Sequence, residues 1–185
     1  MEKKVKWVID PAHSEIGFKV KHLMITNVKG VFSEVEGSIY TTNEDFMTAE
    51  VDVWINPASI TTGDSERDKH LRSADFFDAE NFKELSFVGN TLEKVDDDGS
   101  YELYGDLTIK GIKKRIKLDV EFGGVVKDPW GNEKAGFSIN GKINRKDWGL
   151  NWNSALEAGG VLVGENVYIS CEVQLLKSNE AKAVA

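Results

Sequence analysis

Along Ile112–Phe122, Ile116, Leu118, Val120 and Phe122 alternate with Lys117, Asp119 and Glu121. A period of two gathers those apolar side chains on one face of an extended chain, whereas a helix would scatter them around its axis. The same period recurs along the sequence. Ile16, Phe18, Val20 and His22 share a face, as do Val51, Val53 and Ile55, and Leu103, Gly105, Leu107 and Ile109. Further on come Ala135, Phe137, Ile139, Gly141 and Ile143, then Val167, Ile169, Cys171, Val173 and Leu175. Weaker runs from Val31 to Tyr40 and from Glu84 to Leu92 bring the expectation to about eight strands, each with one apolar face. Between the runs, Asp96-Asp97-Asp98-Gly99, Lys110-Gly111 and Asp128-Pro129-Trp130-Gly131-Asn132 supply the backbone angles of tight reversals, so neighbouring strands are expected to be antiparallel. The 17 Gly and 3 Pro fit this reading. One helix interrupts it, over Glu66–Ser73, with Ser65 as the expected cap and Asp68 three residues on. Strands of this kind close into either a sandwich or a barrel, and periodicity does not choose between them.

The 185 residues suit one domain, read as 1–176, followed by a polar, alanine-rich tail at 177–185 expected to be mobile. A net charge of −8 opposes a polyphosphate partner, so no nucleic-acid binding is expected. A lone cysteine, Cys171, makes no internal disulfide. His13, His22 and His70 lack a spacing that aims two imidazoles at one ion, so no metal and no cofactor are expected. The longest apolar runs are far shorter than the ~20 residues of a membrane-spanning helix, and the start lacks the apolar stretch of a secretory signal. The expectation is therefore a cytoplasmic protein without stable membrane insertion.

Two groupings could carry chemistry. Asp10, His13 and Ser14 lie close in sequence and suggest a small serine-type hydrolase, set against a simple strand-initiating turn; Gly136–Gly141 is one residue too long for a nucleophile elbow. On the helix, Arg67, His70, Leu71 and Ala74 fall on one stripe, which puts two cationic donors on a largely apolar face. They either meet an anionic or polar head group or bond to a nearby carboxylate such as Asp68 or Asp75. His22 ends the apolar face of its strand and is read as a core residue or a ligand contact. The basic cluster of Lys110, Lys113, Lys114, Arg115 and Lys117 reads as a solvated strand face or a membrane-docking patch.

The chain also resembles a known family. Trp7-Val8-Ile9-Asp10-Pro11-Ala12-His13-Ser14-Glu15-Ile16, with Phe18, Val20 and His22, is similar to the opening of the YceI-like lipid-binding proteins. Ser59-Ile60-Thr61-Thr62, Arg67-Asp68-Lys69-His70-Leu71, Ser73 and Asp75-Phe76-Phe77-Asp78 continue the likeness. So do Gly105-Asp106-Leu107-Thr108-Ile109-Lys110-Gly111, Gly136-Phe137, Arg145 and Trp148-Gly149. Trp148, in place of a smaller aromatic, and Lys83, in place of proline, depart from the pattern and are expected to alter the pocket or the loop at its mouth.

The resemblance implies an all-β, extended lipocalin-like antiparallel barrel of about eight strands with one short helical insertion. It further implies a homodimer that holds a polyisoprenoid, prenylquinone or fatty-acid-type lipid without catalysing a reaction. The alternative to a carrier or a hydrolase is a structural β-domain with a filled core. On the carrier reading, the apolar chain lies against Phe18, Val20, Val53, Ile55, Leu107, Ile109, Ile116, Leu118, Phe137, Ile139, Ile169 and Val173. His22, Arg67, His70 and Arg145 are the head-group candidates, and Gly105, Ala135 and Gly141 are expected to leave room in the lumen or to relieve its curvature.

Overall fold

A computed structural model describes residues 2–178. The strands are β1 (Lys4–Ile9), β2 (Glu15–His22), β3 (Thr26–Phe32), β4 (Val35–Thr42), β5 (Asp45–Ile55) and β6 (Ile60–Thr61). After helix α1 (Ser65–Arg72) come β7 (Leu85–Lys94), β8 (Ser100–Ile109), β9 (Ile112–Lys127), β10 (Glu133–Asn144) and β11 (Val163–Lys177). All pairings are antiparallel, in the order β1-β4-β5-β7-β8-β9-β10-β11-β2-β3-β6, and β1 pairs again with β11 to close the ring. The choice between sandwich and barrel therefore falls on the barrel.

The ring has eight positions because three of them hold a broken strand. β11 is fully paired on one side by β10, and on the other by β1 at one end and β2 at the other. β4 and β3 follow β1 and β2, and β5 and β6 follow in turn. Two of the breaks use the same local chemistry. Asp10-Pro11-Ala12 and Asn56-Pro57-Ala58 each form a single 3-10 turn in which the Asx side chain accepts the N–H two residues on, at 3.1 and 3.0 Å. Proline fixes φ at the first position of such a turn and has no N–H to leave unpaired. The third break, at Ser33-Glu34, is stitched to the second: Ser33 N–H donates to Ser59 O and Asn56 N–H to Glu34 O.

This arrangement corrects four expectations. Val31–Tyr40 is not one strand but the junction of β3 and β4. β1 adds a strand that the sequence reading passed over, although Val5, Trp7 and Ile9 carry its buried face. The helix is capped by Asp64, not Ser65: the Asp64 carboxylate accepts from Glu66 and Arg67 N–H, while Asp68 turns to Thr62, taking its N–H at 2.8 Å and its hydroxyl. An ionised carboxylate one position earlier takes two of the orphan donors of the first turn. Lys177 belongs to β11 rather than to a tail, bridging to Glu44 and Glu133; residues 179–185 lie outside the described chain.

Buried side chains collect at both ends of the barrel. One cluster includes Leu85, Phe87, Leu107, Ile109 and Trp148, the other Val5, Trp7, Ile39, Ala135 and Leu175. Ile16, Phe137, Ile139 and Ile169 pack against both. Among the described residues no helix is long and apolar enough to cross a membrane.

Asp10 offers a test of the β1–β2 break. His13 Nδ1 lies 2.9 Å from Asp10 Oδ2, and this bond above all, with the Ala12 N–H, holds the Asp10 carboxyl below its ordinary 3.8 despite opposing desolvation. A carboxyl with a lowered folded-state pKa contributes stability above its unfolded value and loses it as pH falls through the folded one. Asp10→Ala is expected to cost about 1 kcal/mol at neutral pH, as other lost caps do. In urea titrations the gap to the parent narrows once the pH drops below 3.8.

Candidate functional site

Period-two strands wrapped into a ring send every second side chain inward. Here those side chains do not fill the space: a cavity of about 860 Å³ runs inside the barrel. That lies within the roughly 300–1,000 Å³ typical of ligand pockets. Along β11 it is lined by Val163, Val167, Ile169, Cys171, Val173 and Leu175. Twelve steps at about 3.3 Å, on strands tilted by about 40°, make the lined stretch roughly 30 Å long.

The expected apolar wall is found in one place. Phe18, Val20, Val53, Ile55, Leu107, Ile109, Ile116, Leu118, Phe137, Ile139, Ile169 and Val173 all line this cavity, and so do His22, Arg67, His70 and Arg145. Polar lining residues gather at the ends. Lys21, His22, Thr62, Glu66, Arg67, His70 and Arg145 stand where α1 and the β2–β3 hairpin meet, and Glu44 and Asp45 at the opposite end. Between them, among the described residues, Tyr101 and Cys171 bring the polar side-chain atoms. Burial pushes the Cys171 thiol up to about 11, so it acts as a small apolar group rather than a nucleophile.

The four cationic candidates are not equivalent. Arg145 is 3% exposed and donates to the carbonyls of Leu150, Trp152, Val163 and Gly164, which pins residues 150–164 against the barrel. Burial lowers its pKa, with Glu165 opposing. His70 lies 2.9 Å from Asp75 through Nε2, and its ring stands edge-on to Phe76 and Trp152. Arg67 donates through Nε and Nη2 to Thr62, leaving Nη1 uncommitted among the described residues. Of the two carboxylates that stood as structural partners, Asp75 therefore takes His70, while Asp68 serves Thr62 instead of Arg67. The His22 imidazole has no hydrogen-bond partner among the described residues.

The far end is aromatic. Phe46 packs against Trp7, Phe122 and Phe137 with ring centroids 5.1–5.4 Å apart. Trp7 Nε1 is buried there without a hydrogen-bond partner among the described residues.

The expectation that small residues leave luminal room is corrected, since Gly105, Ala135 and Gly141 are not part of the cavity wall. A Cβ on Gly105 would meet the Phe87 ring and the backbone of β7, and one on Gly141 would meet Leu118. Gly30 works the same way beneath Phe18, whose ring would lie 2.4 Å from an added Cβ. Glycine thus keeps the lumen open indirectly, letting a large side chain from the next strand lie flat along the wall. Trp148 also does not line the cavity; its Nε1–H donates to Leu107 O at 2.9 Å and its ring seals the wall from behind.

The hydrolase grouping does not assemble. His13 turns to Asp10, while Ser14 Oγ donates to Gln174 O and accepts from Gln174 N–H, which clasps β11. This is the strand-initiating turn. Among the described residues no group of three or more His, Cys, Asp or Glu side chains is placed to hold a metal.

Residues 7–175 match the YceI-like domain. The chain belongs to the YceI-like family. It is 40% identical over 162 residues to a UPF0312 protein of Staphylococcus aureus, covering 87% of this chain and 91% of that one. The crystal structure of the Campylobacter jejuni YCEI protein superposes with a TM-score of 0.73 at 37% identity, over 92% of this chain and 96% of that one. A polyisoprenoid binding domain from Saccharophagus degradans, implicated in plant cell wall breakdown, shares the fold at a TM-score of 0.65 and 13% identity, over 93% and 98% of the two chains.

In this YceI-like barrel, sequence reasoning left Phe32, Ile39, Leu85 and Phe87 of the lining without a face, since their runs alternate weakly, and two further groups were missed for other reasons. Trp7 and Ile9 alternate correctly, in a stretch used for the family resemblance and for the missing signal but not read as a strand. Phe46, Phe76, Phe77 and Trp152 lie in or beside turns, where periodicity carries no information about which way a side chain faces.

Proposed function

We propose that this protein binds one long-chain isoprenoid or similar amphiphilic lipid in its barrel, as a non-catalytic carrier or store. The observation that carries the reading is the apolar cavity of about 860 Å³, whose polar lining is confined almost wholly to its ends. The polyisoprenoid-binding neighbour supports the same class of ligand. Each methylene moved from water into such a tube contributes about 0.8 kcal/mol, against an association cost of about 4–15 kcal/mol. A chain of about ten carbons therefore gains little, whereas one of about twenty binds well. His22 and the free Nη1 of Arg67 are the donors for a polar or anionic head group. His70 and Arg145 act as positioning residues.

Native mass spectrometry of gently purified protein, with lipid extraction, is expected to show one long-chain lipid per barrel, and the stripped protein to take up a fluorescent prenyl chain one to one. Absence of both overturns the reading. The homodimer implied by the resemblance belongs to the proposal and is checked by light scattering.

A further inference from the structure

The β2–β3 hairpin turns through His22-Leu23-Met24-Ile25, closed by Ile25 N–H to His22 O at 3.2 Å. Leu23 and Met24 stand at φ +53 and +62, the left-handed region that the two central positions of a type I′ turn normally fill with Asn-Gly. Here a branched and a long apolar side chain occupy strained positions, and they are not hidden by doing so. Leu23, Met24 and Ile25 are 40, 57 and 76% exposed. The tip is nonetheless firmly built. Leu23 N–H donates to Leu162 O at 2.9 Å, and Met24 lies over Gly160, where any side chain would run into its sulfur. Strain kept at a well-supported, exposed apolar tip points to a use outside the fold.

Two observations say what covers it. In a protein of net charge −8, the stretch between Glu15 and Glu34 carries Lys19, Lys21 and Lys29 and no carboxylate. Lys19 and Lys29 face each other across the hairpin, a like-charge pairing that an external anion relieves. The residues flanking the tip, Lys21, His22 and Leu162, also line the cavity.

We propose that Leu23, Met24 and Ile25 dip into the boundary between head groups and acyl chains of an anionic bilayer, with the lysines behind them on lipid phosphates. This seats the cavity mouth on the membrane surface. An apolar tip backed by cations is the composition that interfacial binding requires. The reason for docking there rests on the proposed lipid-carrier function; the docking itself is measured separately.

Flotation of the full chain with vesicles gives the test. Vesicles of phosphatidylcholine with about one third phosphatidylglycerol are expected to carry the protein at least about tenfold better than phosphatidylcholine alone, and less so as salt rises. The double substitution Leu23→Asn with Met24→Gly relieves the turn, so its melting temperature is expected to hold or rise while vesicle binding falls about tenfold. Trp130→Ser, at the 82%-exposed tip of the β9–β10 hairpin at the other end of the barrel, leaves binding unchanged. Docking is overturned if the double variant floats like the parent, if Trp130→Ser abolishes binding, or if the double variant alters only the oligomeric mass in light scattering, which would assign the tip to a second copy. Uptake of a prenyl chain from water separates the two proposals. Retained uptake without flotation refutes docking alone, and flotation without uptake refutes the carrier.

Discussion

Ile139→Trp is expected to abolish binding of a long chain while leaving a folded barrel. Ile139 lines the cavity on β10, opposite Val120 of β9 and Cys171 of β11, and it packs against both buried clusters. An indole at that point divides one long lumen into two short ones. Insertion into a tightly packed core costs about 1–3 kcal/mol, and the space in front of Ile139 should hold the loss toward the low end. Each methylene kept out of the tube removes about 0.8 kcal/mol, so excluding even two weakens binding more than tenfold, since about 1.4 kcal/mol is a factor of ten. Titration with prenyl or fatty chains of graded length checks this. Long chains should lose affinity by well over tenfold, and short ones should keep what little they have. Unchanged affinity for the long chains in a folded variant would mean that the ligand does not pass the middle of the barrel.

Arg145→Met is expected to cost about 3–5 kcal/mol of stability, because several backbone carbonyls lose a charged donor at once. Methionine fills much of the volume of arginine but leaves the carbonyls of Leu150, Trp152, Val163 and Gly164 without their donors. Each buried orphan acceptor costs about 1–3 kcal/mol unless water reaches it. Set against a usual domain stability of about 5–15 kcal/mol, the loss is large. Arg145→Lys should rescue only part, because a single ammonium cannot reproduce the planar fork that spans four carbonyls. Urea unfolding followed by tryptophan fluorescence gives the measurement. A variant of parental stability with weakened lipid binding would instead return Arg145 to the head-group role first expected of it.

The sequence carried the barrel wall better than its ends. Period two depends only on which side of a strand a residue faces, so Phe18, Leu118 and Ile139 could be placed on the cavity side without knowing how the strands meet. The partners of the cations depend on distant backbone. Nothing near Arg145 in sequence announces that it clasps Val163 and Gly164, and Arg67 answers to Thr62 rather than to an acid. Strand breaks were legible in part. Asp10-Pro11-Ala12 and Asn56-Pro57-Ala58 share a pattern, but the Ser33-Glu34 break is fixed by its neighbours and has no local signature. Glycines misled for a different reason. A missing side chain looks like space, and only coordinates show that Phe87 or Leu118 already occupies it.

The seam between β1 and β11 joins the two ends of the chain: Trp7 pairs with Lys177, a separation of 177 − 7 = 170 residues. Contacts of such long range form slowly, since the entropy of closing the loop must be met before they contribute. On a ribosome the last strand emerges after all the others, so until then the apolar face that becomes the lumen has no lid along that seam. Closure of the lumen is thus the last step that the order of strands along the chain allows.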